Sequence, residues 1–130
     1  MVKVSATINK QHYRTEIISD RNNLIADEPI NSGGQGEGFS PFQLLSASLA
    51  ACTSVTLRMY ADHKGWPLEK IDVEVIYEND EGSSSPHITT KIRFTGDLSL
   101  EQRDKLLEIA DKCPVHKALT NPITIKTTEL

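Results

Sequence analysis

The chain has 130 residues, 25% of them charged and 38% apolar, with a net charge of −4 at pH 7. That size and mixture describe one globular domain over residues 1–130. They exclude a basic nucleic-acid-binding face and, with no run of about 18 apolar residues, a membrane-spanning helix. Met1-Val2-Lys3-Val4-Ser5 lacks the apolar stretch of a signal peptide, so a cytoplasmic location is expected. In that compartment thiols are kept reduced, and a disulfide is more often transient and catalytic than structural.

Val2, Val4, Ala6 and Ile8 alternate with polar residues, the pattern of a half-buried strand. A turn at Asn9-Lys10-Gln11 leads to a second strand from His12 to Ser19. A second turn at 20–23 leads to a short third strand from Leu24 to Ala26. Residues 31–38 hold four glycines and read as a mobile loop beside a pocket. They do not make a phosphate cradle, because no Gly-Lys-Ser/Thr follows. Ser40-Pro41 supplies an N-cap and a first helical proline. The helix should run to about Lys64, ahead of Gly65 and Pro67. It places Leu45, Leu49, Cys52, Val55, Thr56 and Met59 on one face, and no charge occurs from Leu44 to Val55. So uncharged a helix should be buried on more than one side, wrapped by sheet or shared with a partner subunit.

Ile71 to Tyr77 alternates as a strand, Glu78 to Pro86 is a polar loop, and Ile88 to Phe94 is the next strand. Ser99 with Gln102 fits a capping box opening a helix to Asp111, with Leu100, Leu106, Leu107 and Ala110 as its buried face. Cys113-Pro114 begins a short helix to about Thr120, and Ile123 to Thr127 closes as a strand. The predicted fold is α+β in the order β-β-β-α-β-β-α-α-β.

The chain has two cysteines, 61 residues apart. Cys52, mid-helix among apolar residues, reads locally as a packed small side chain. A reactive Cys52 needs a guanidinium brought from elsewhere. Cys113 precedes a helical proline, so its sulfur should sit at a helix N-terminus, where the dipole and free N–H groups favour a thiolate. Local chemistry therefore ranks Cys113 as the more reactive. Cys113 with His116 is one loose pair, whereas zinc sites carry two, so no metal is expected. Ser46, Ser48 and Ser54 lack the Gly-x-Ser-x-Gly elbow of a hydrolase. Asp27-Glu28 reads as a turn, and Glu101, Asp104, Glu108 and Asp111 as a solvated helix face.

Taken in order, several segments resemble the OsmC/Ohr superfamily. They are Ala26-Asp27-Glu28-Pro29 with Gly33-Gly34, Ser40-Pro41-Phe42-Gln43-Leu44-Leu45 and Leu49-Ala50-Ala51-Cys52-Thr53. Thr56-Leu57-Arg58-Met59-Tyr60-Ala61, Lys64-Gly65-Trp66-Pro67-Leu68 and Cys113-Pro114-Val115-His116 follow. The longer matches resemble the OsmC-like branch that also occurs joined to α/β-hydrolase domains. The resemblance implies an intertwined homodimer with a central buried helix and two sites at the subunit interface. It implies a peroxidase acting on organic hydroperoxides in oxidative stress defence, with no bound cofactor. The residue matching Cys52 would attack the peroxide, the residue matching Cys113 would resolve the sulfenic acid to a disulfide, and an external lipoyl-type dithiol would restore both. The local ranking of the two thiols is thereby reversed.

Peroxidases of this superfamily pair an Arg from the N-terminal strands with a Glu in the first turn of the cysteine helix. Here that turn reads Phe42-Gln43, so Gln43 stands in place of a carboxylate, and Arg14 and Arg21 both lie in the right region for the Arg. The alternative is a non-enzymatic module that binds a small apolar ligand or senses redox state, partnered with a hydrolase.

Overall fold

The computed structural model describes residues 1–80 and 85–130. It divides into two compact units, Met1–Leu45 and Ser46–Leu130.

The first unit holds three antiparallel strands in sequence order: β1 (Ser5–Ile8), β2 (Thr15–Ser19) and β3 (Asn22–Ala26). Ile8 faces Thr15 across one pair and Thr15 faces Ala26 across the next. The β2–β3 turn is tight because Asp20 takes a positive φ of 50°, a conformation that Asp tolerates. The alternation read in β1 is real, but all four of its residues are exposed. A period-two pattern prepares a face for burial; burial also needs a second layer.

The glycine-rich segment, expected to be a loop, is organised by backbone hydrogen bonds. A single turn of 3-10 helix (Ile30–Ser32) starts it, and the rest winds around the carboxylate of Asp27. A Cβ at Gly34 would collide with the Glu28 carbonyl and one at Gly38 with the Ile25 carbonyl, so both positions require glycine for close backbone approach.

Helix α1 (Pro41–Lys64) opens as its sequence predicts. The Ser40 hydroxyl accepts from Gln43 N at 3.3 Å, and Gln43 Oε1 accepts from Ser40 N at 2.8 Å. This reciprocal capping box satisfies two of the helix's orphan donors.

In the second unit α1 buries Leu49, Thr53, Leu57 and Ala61, a strict i, i+4 row. The expected face is corrected by this row. Leu49 is common to both, but Val55 and Met59 are 52% and 68% exposed. With no charge before Arg58 to mark the outer side of the helix, composition could not choose between rows.

Strands β4 (Leu68–Glu78) and β5 (His87–Gly96) form an antiparallel hairpin, longer at both ends than the alternating segments suggested. The register slips between Leu68 and Lys70, and there the Arg58 guanidinium donates to the Leu68 and Glu69 carbonyls. Part of the polar loop expected over Glu78 to Pro86 lies outside the described residues. Helix α2 (Leu100–Ala110) carries the capping box of Ser99 with Gln102. It buries Leu106 and Ala110 but leaves Leu100 and Leu107 exposed, so the predicted apolar face is half right. Leu57, Leu68, Phe94, Leu98 and Leu106 form the centre of the core.

Helix α3 (Pro114–Leu119) ends the regular structure. The closing strand expected over Ile123 to Thr127 has no strand partner among the described residues, and Ile125 is 84% exposed. A strand exists only through a ladder with a neighbour, and the described residues offer that segment none. The architecture is α+β, with the predicted order up to that last strand.

Candidate functional site

Cys113 is the N-cap of α3. Its backbone is extended, Pro114 occupies the first helical position, and its Sγ accepts from His116 N at 3.2 Å. Sulfur thus takes the place usually held by a Ser or Thr oxygen. Pro114 favours this start because its fixed φ suits the first turn and its missing N–H is not needed there. The residue is fully buried, and its second polar contact is Thr53 Oγ1, 3.9 Å from Sγ.

Cys52 precedes Thr53 on α1 and is half-buried, and both thiols are free. Adjacent helical residues diverge by about 100°, so the core-facing Thr53 carries the contact to Cys113 while Cys52 stands at the edge of the buried row. The chain therefore brings the N-cap of α3 against the turn of α1 that bears Cys52, although 61 residues separate the two cysteines. His116 Nδ1 lies 3.9 Å from Asp111 Oδ1. Among the described residues no three His, Cys, Asp or Glu side chains gather as a metal site.

The other predicted residues belong to the first unit. Arg14 Nε pairs with Glu37 Oε2 at 3.3 Å, both side chains 43% exposed. Arg21 is exposed in the β2–β3 turn. Gln43 is engaged in the helix cap, and the first turn of α1 has no acidic residue.

Asp27 is the residue that sequence reasoning underrated. It is 2% exposed. Its Oδ1 accepts from Tyr13 N at 3.0 Å and Glu28 N at 2.7 Å, and its Oδ2 from Gln35 N at 3.2 Å and Glu37 N at 3.1 Å. Burial pushes the carboxyl up, but the N–H groups of Glu37, Tyr13, Glu28 and Gln35 outweigh it and hold Asp27 below the usual carboxylate range. The glycine-rich loop does present N–H groups to an anion, and that anion is the chain's own carboxylate. The available signal was an Asp a few residues before a glycine-dense loop, whose close-approaching backbone can aim N–H groups at an anion.

A long helix with an uncharged centre bearing one cysteine, and a second cysteine that caps a helix and touches Thr53 of the first, define a two-thiol α+β protein. The family described as OsmC-like protein matches residues 34–128, and the chain belongs to that family. No curated protein matches the sequence. Among solved structures, the fold is similar to an OsmC-like protein from Mycoplasma pneumoniae (TM-score 0.79, 21% identity, covering 92% of this chain and 87% of that one). It is also similar to the organic hydroperoxide resistance protein OhrB of Bacillus subtilis (TM-score 0.61, 26% identity, covering 91% and 89%). A third is an organic hydroperoxide resistance protein from Elizabethkingia anophelis (TM-score 0.70, 18% identity, covering 91% and 86%). No helix among the described residues is long and apolar enough to cross a membrane.

Proposed function

We propose that the protein is a cytoplasmic, homodimeric, thiol-dependent peroxidase that reduces organic hydroperoxides in oxidative stress defence. Cys52, as thiolate, attacks the terminal peroxide oxygen. The O–O bond breaks, the alcohol leaves, and Cys52 becomes a sulfenic acid. Cys113 attacks that sulfur, the S–O bond breaks, and water departs as the disulfide forms. An external dithiol of lipoyl type then reduces the disulfide by exchange. The observation that carries the reading is the packing of Cys113 against Thr53, the residue adjoining Cys52.

Two features support the dimer. Val55 and Met59 of α1 are exposed, and the segment at 123–127, with exposed Ile123 and Ile125, has no strand partner among the described residues. Both are surfaces that a second copy would cover. Of the two guanidinium candidates for activating Cys52, Arg14 is favoured over Arg21, because Arg14 is held by Glu37.

A second reading rests on α1's first turn. With no acidic residue there and Gln43 Oε1 taken by Ser40 N, no helix carboxylate orients an Arg. A non-enzymatic module, binding a small apolar ligand or sensing redox state beside an α/β-hydrolase, needs none.

Counting free thiols after mixing reduced protein with cumene hydroperoxide separates the peroxidase from the ligand-binding module, and catalytic turnover with excess dithiol separates it from a redox sensor. The peroxidase loses two thiols per chain within seconds, Cys113→Ser loses one, and Cys52→Ser loses none. Unchanged thiols after many minutes in the wild type would sink the peroxidase and leave the binding module.

A further inference from the structure

Thr53 is the residue through which the two cysteine-bearing elements meet, and it is almost fully buried in the core-facing row of α1. A hydroxyl in a helix interior ordinarily donates to the carbonyl four residues back. The next residue does so: Ser54 Oγ donates to the Ala50 carbonyl at 2.8 Å. Thr53 instead directs its single hydroxyl proton across to Cys113 Sγ, at 3.9 Å. The sulfur also accepts from His116 N. Two donors from two different helices therefore converge on one sulfur, which is itself a weak acceptor when neutral.

We infer that Thr53 is a positioning residue for the disulfide-forming step, acting through Cys113. This rests on the dithiol cycle proposed above. In that step Cys113 Sγ, having given up its proton, uses a lone pair to form the S–S bond to Cys52. The S–O bond of the sulfenic acid breaks, and the departing hydroxide takes a proton and leaves as water. Hydrogen bonds to an ionised acceptor are shorter and stronger than those to a neutral one. The Thr53 hydroxyl therefore orients the attacking sulfur in the state that reacts, without using the lone pair that forms the new bond. It also ties Sγ to the helical turn that presents Cys52, limiting the search for the sulfenic sulfur. The peroxide-cleaving step, which uses Cys52 alone, does not depend on it.

The test compares Thr53→Val, which keeps the branched shape and removes the hydroxyl, with Thr53→Ser, which keeps the hydroxyl. Reduced protein is mixed with one equivalent of cumene hydroperoxide in the presence of dimedone. Sulfenic adduct and disulfide are then separated by mass. In Thr53→Val the adduct-to-disulfide ratio should rise roughly three- to tenfold, the range for losing one hydrogen bond. The rate of peroxide consumption should stay unchanged and Thr53→Ser should restore the wild-type ratio. A purely structural role would slow both steps together and would not be rescued by Ser. If Thr53→Val does not fold, Thr53→Ala in the same assay carries the comparison. An unchanged ratio in a variant that consumes peroxide normally overturns the role of Thr53. A wild type that neither consumes peroxide nor forms adduct overturns the peroxidase reading instead.

Discussion

The first unit and the second each bury an acceptor that collects donors, and the two acceptors are finished differently. Asp27 carries a full charge and receives four backbone N–H groups. Cys113 receives one backbone N–H and one long contact from a hydroxyl. The carboxylate is saturated by groups the backbone cannot withdraw without unwinding the loop, so it serves architecture. The sulfur has only one backbone N–H and one long hydroxyl contact, which leaves it the lone pair that the proposed disulfide-forming step requires. Burial alone therefore does not separate a structural acceptor from a reactive one. The strength and number of the donors do.

The comparison can be broken most sharply by exchanging chemistry for stability. On the proposed dithiol cycle, Cys113→Ser should abolish peroxide-driven Cys52–Cys113 disulfide formation while changing unfolding free energy by no more than about 1 kcal/mol, because Ser is a preferred cap and offsets the burial of a hydroxyl. Non-reducing mass analysis and a urea titration read the two effects side by side. If that substitution unfolds the domain, Cys113 is core and the contrast with Asp27 collapses. Leu57→Ala, in the same core, should cost about 2–5 kcal/mol and calibrates what a purely structural residue is worth there.

Asp27→Asn sharpens the other side. Its folded-state pKa lies below the ordinary value of 3.8. The stability it contributes is therefore present above the unfolded pKa and disappears as pH falls through the folded one. Urea midpoints of wild type and Asp27→Asn should differ clearly at pH 7 and converge as pH drops below the ordinary carboxylate range. A gap that persists at acid pH would mean the charge is not what binds the four N–H groups.

Smaller effects should follow at the helix cap and at the surface. Gln43→Ala removes one half of the α1 capping box and should cost about 0.5–1 kcal/mol, whereas Gln43→Glu should preserve the cap. If Gln43→Glu raises the rate of Cys52 alkylation, a carboxylate at that position does more than cap. Arg14→Gln should change stability by less than about 1 kcal/mol, as expected for an exposed ion pair. Any large loss of peroxide reduction in that variant would then be chemical in origin.

Local features were legible in the sequence because neighbouring residues produce them. Ser40-Pro41, Ser99 with Gln102, and Cys113-Pro114 each announce a helix start, and each start lies where it was expected. What failed was the choice of face. Val55 and Leu107 fit an apolar helical stripe as well as Leu57 and Leu106 do, yet only the latter two are buried. The segment Ile123 to Thr127 has strand composition, but a ladder is a property of two segments and its partner cannot be read from one. Asp27 looked like a turn residue because its donors come from four positions spread between Tyr13 and Glu37.

By itself the amino-acid sequence determined the α+β order up to the last strand, the helix starts, the family and the two thiols, because these follow from periodicity, capping chemistry and motif spacing. Only the tertiary structure decided which row of α1 is inside, that Asp27 organises the glycine-rich loop, and that Thr53 joins Cys113 to the Cys52 helix. Those depend on contacts between residues distant in the chain, where packing and donor–acceptor geometry, rather than local propensity, set the free energy.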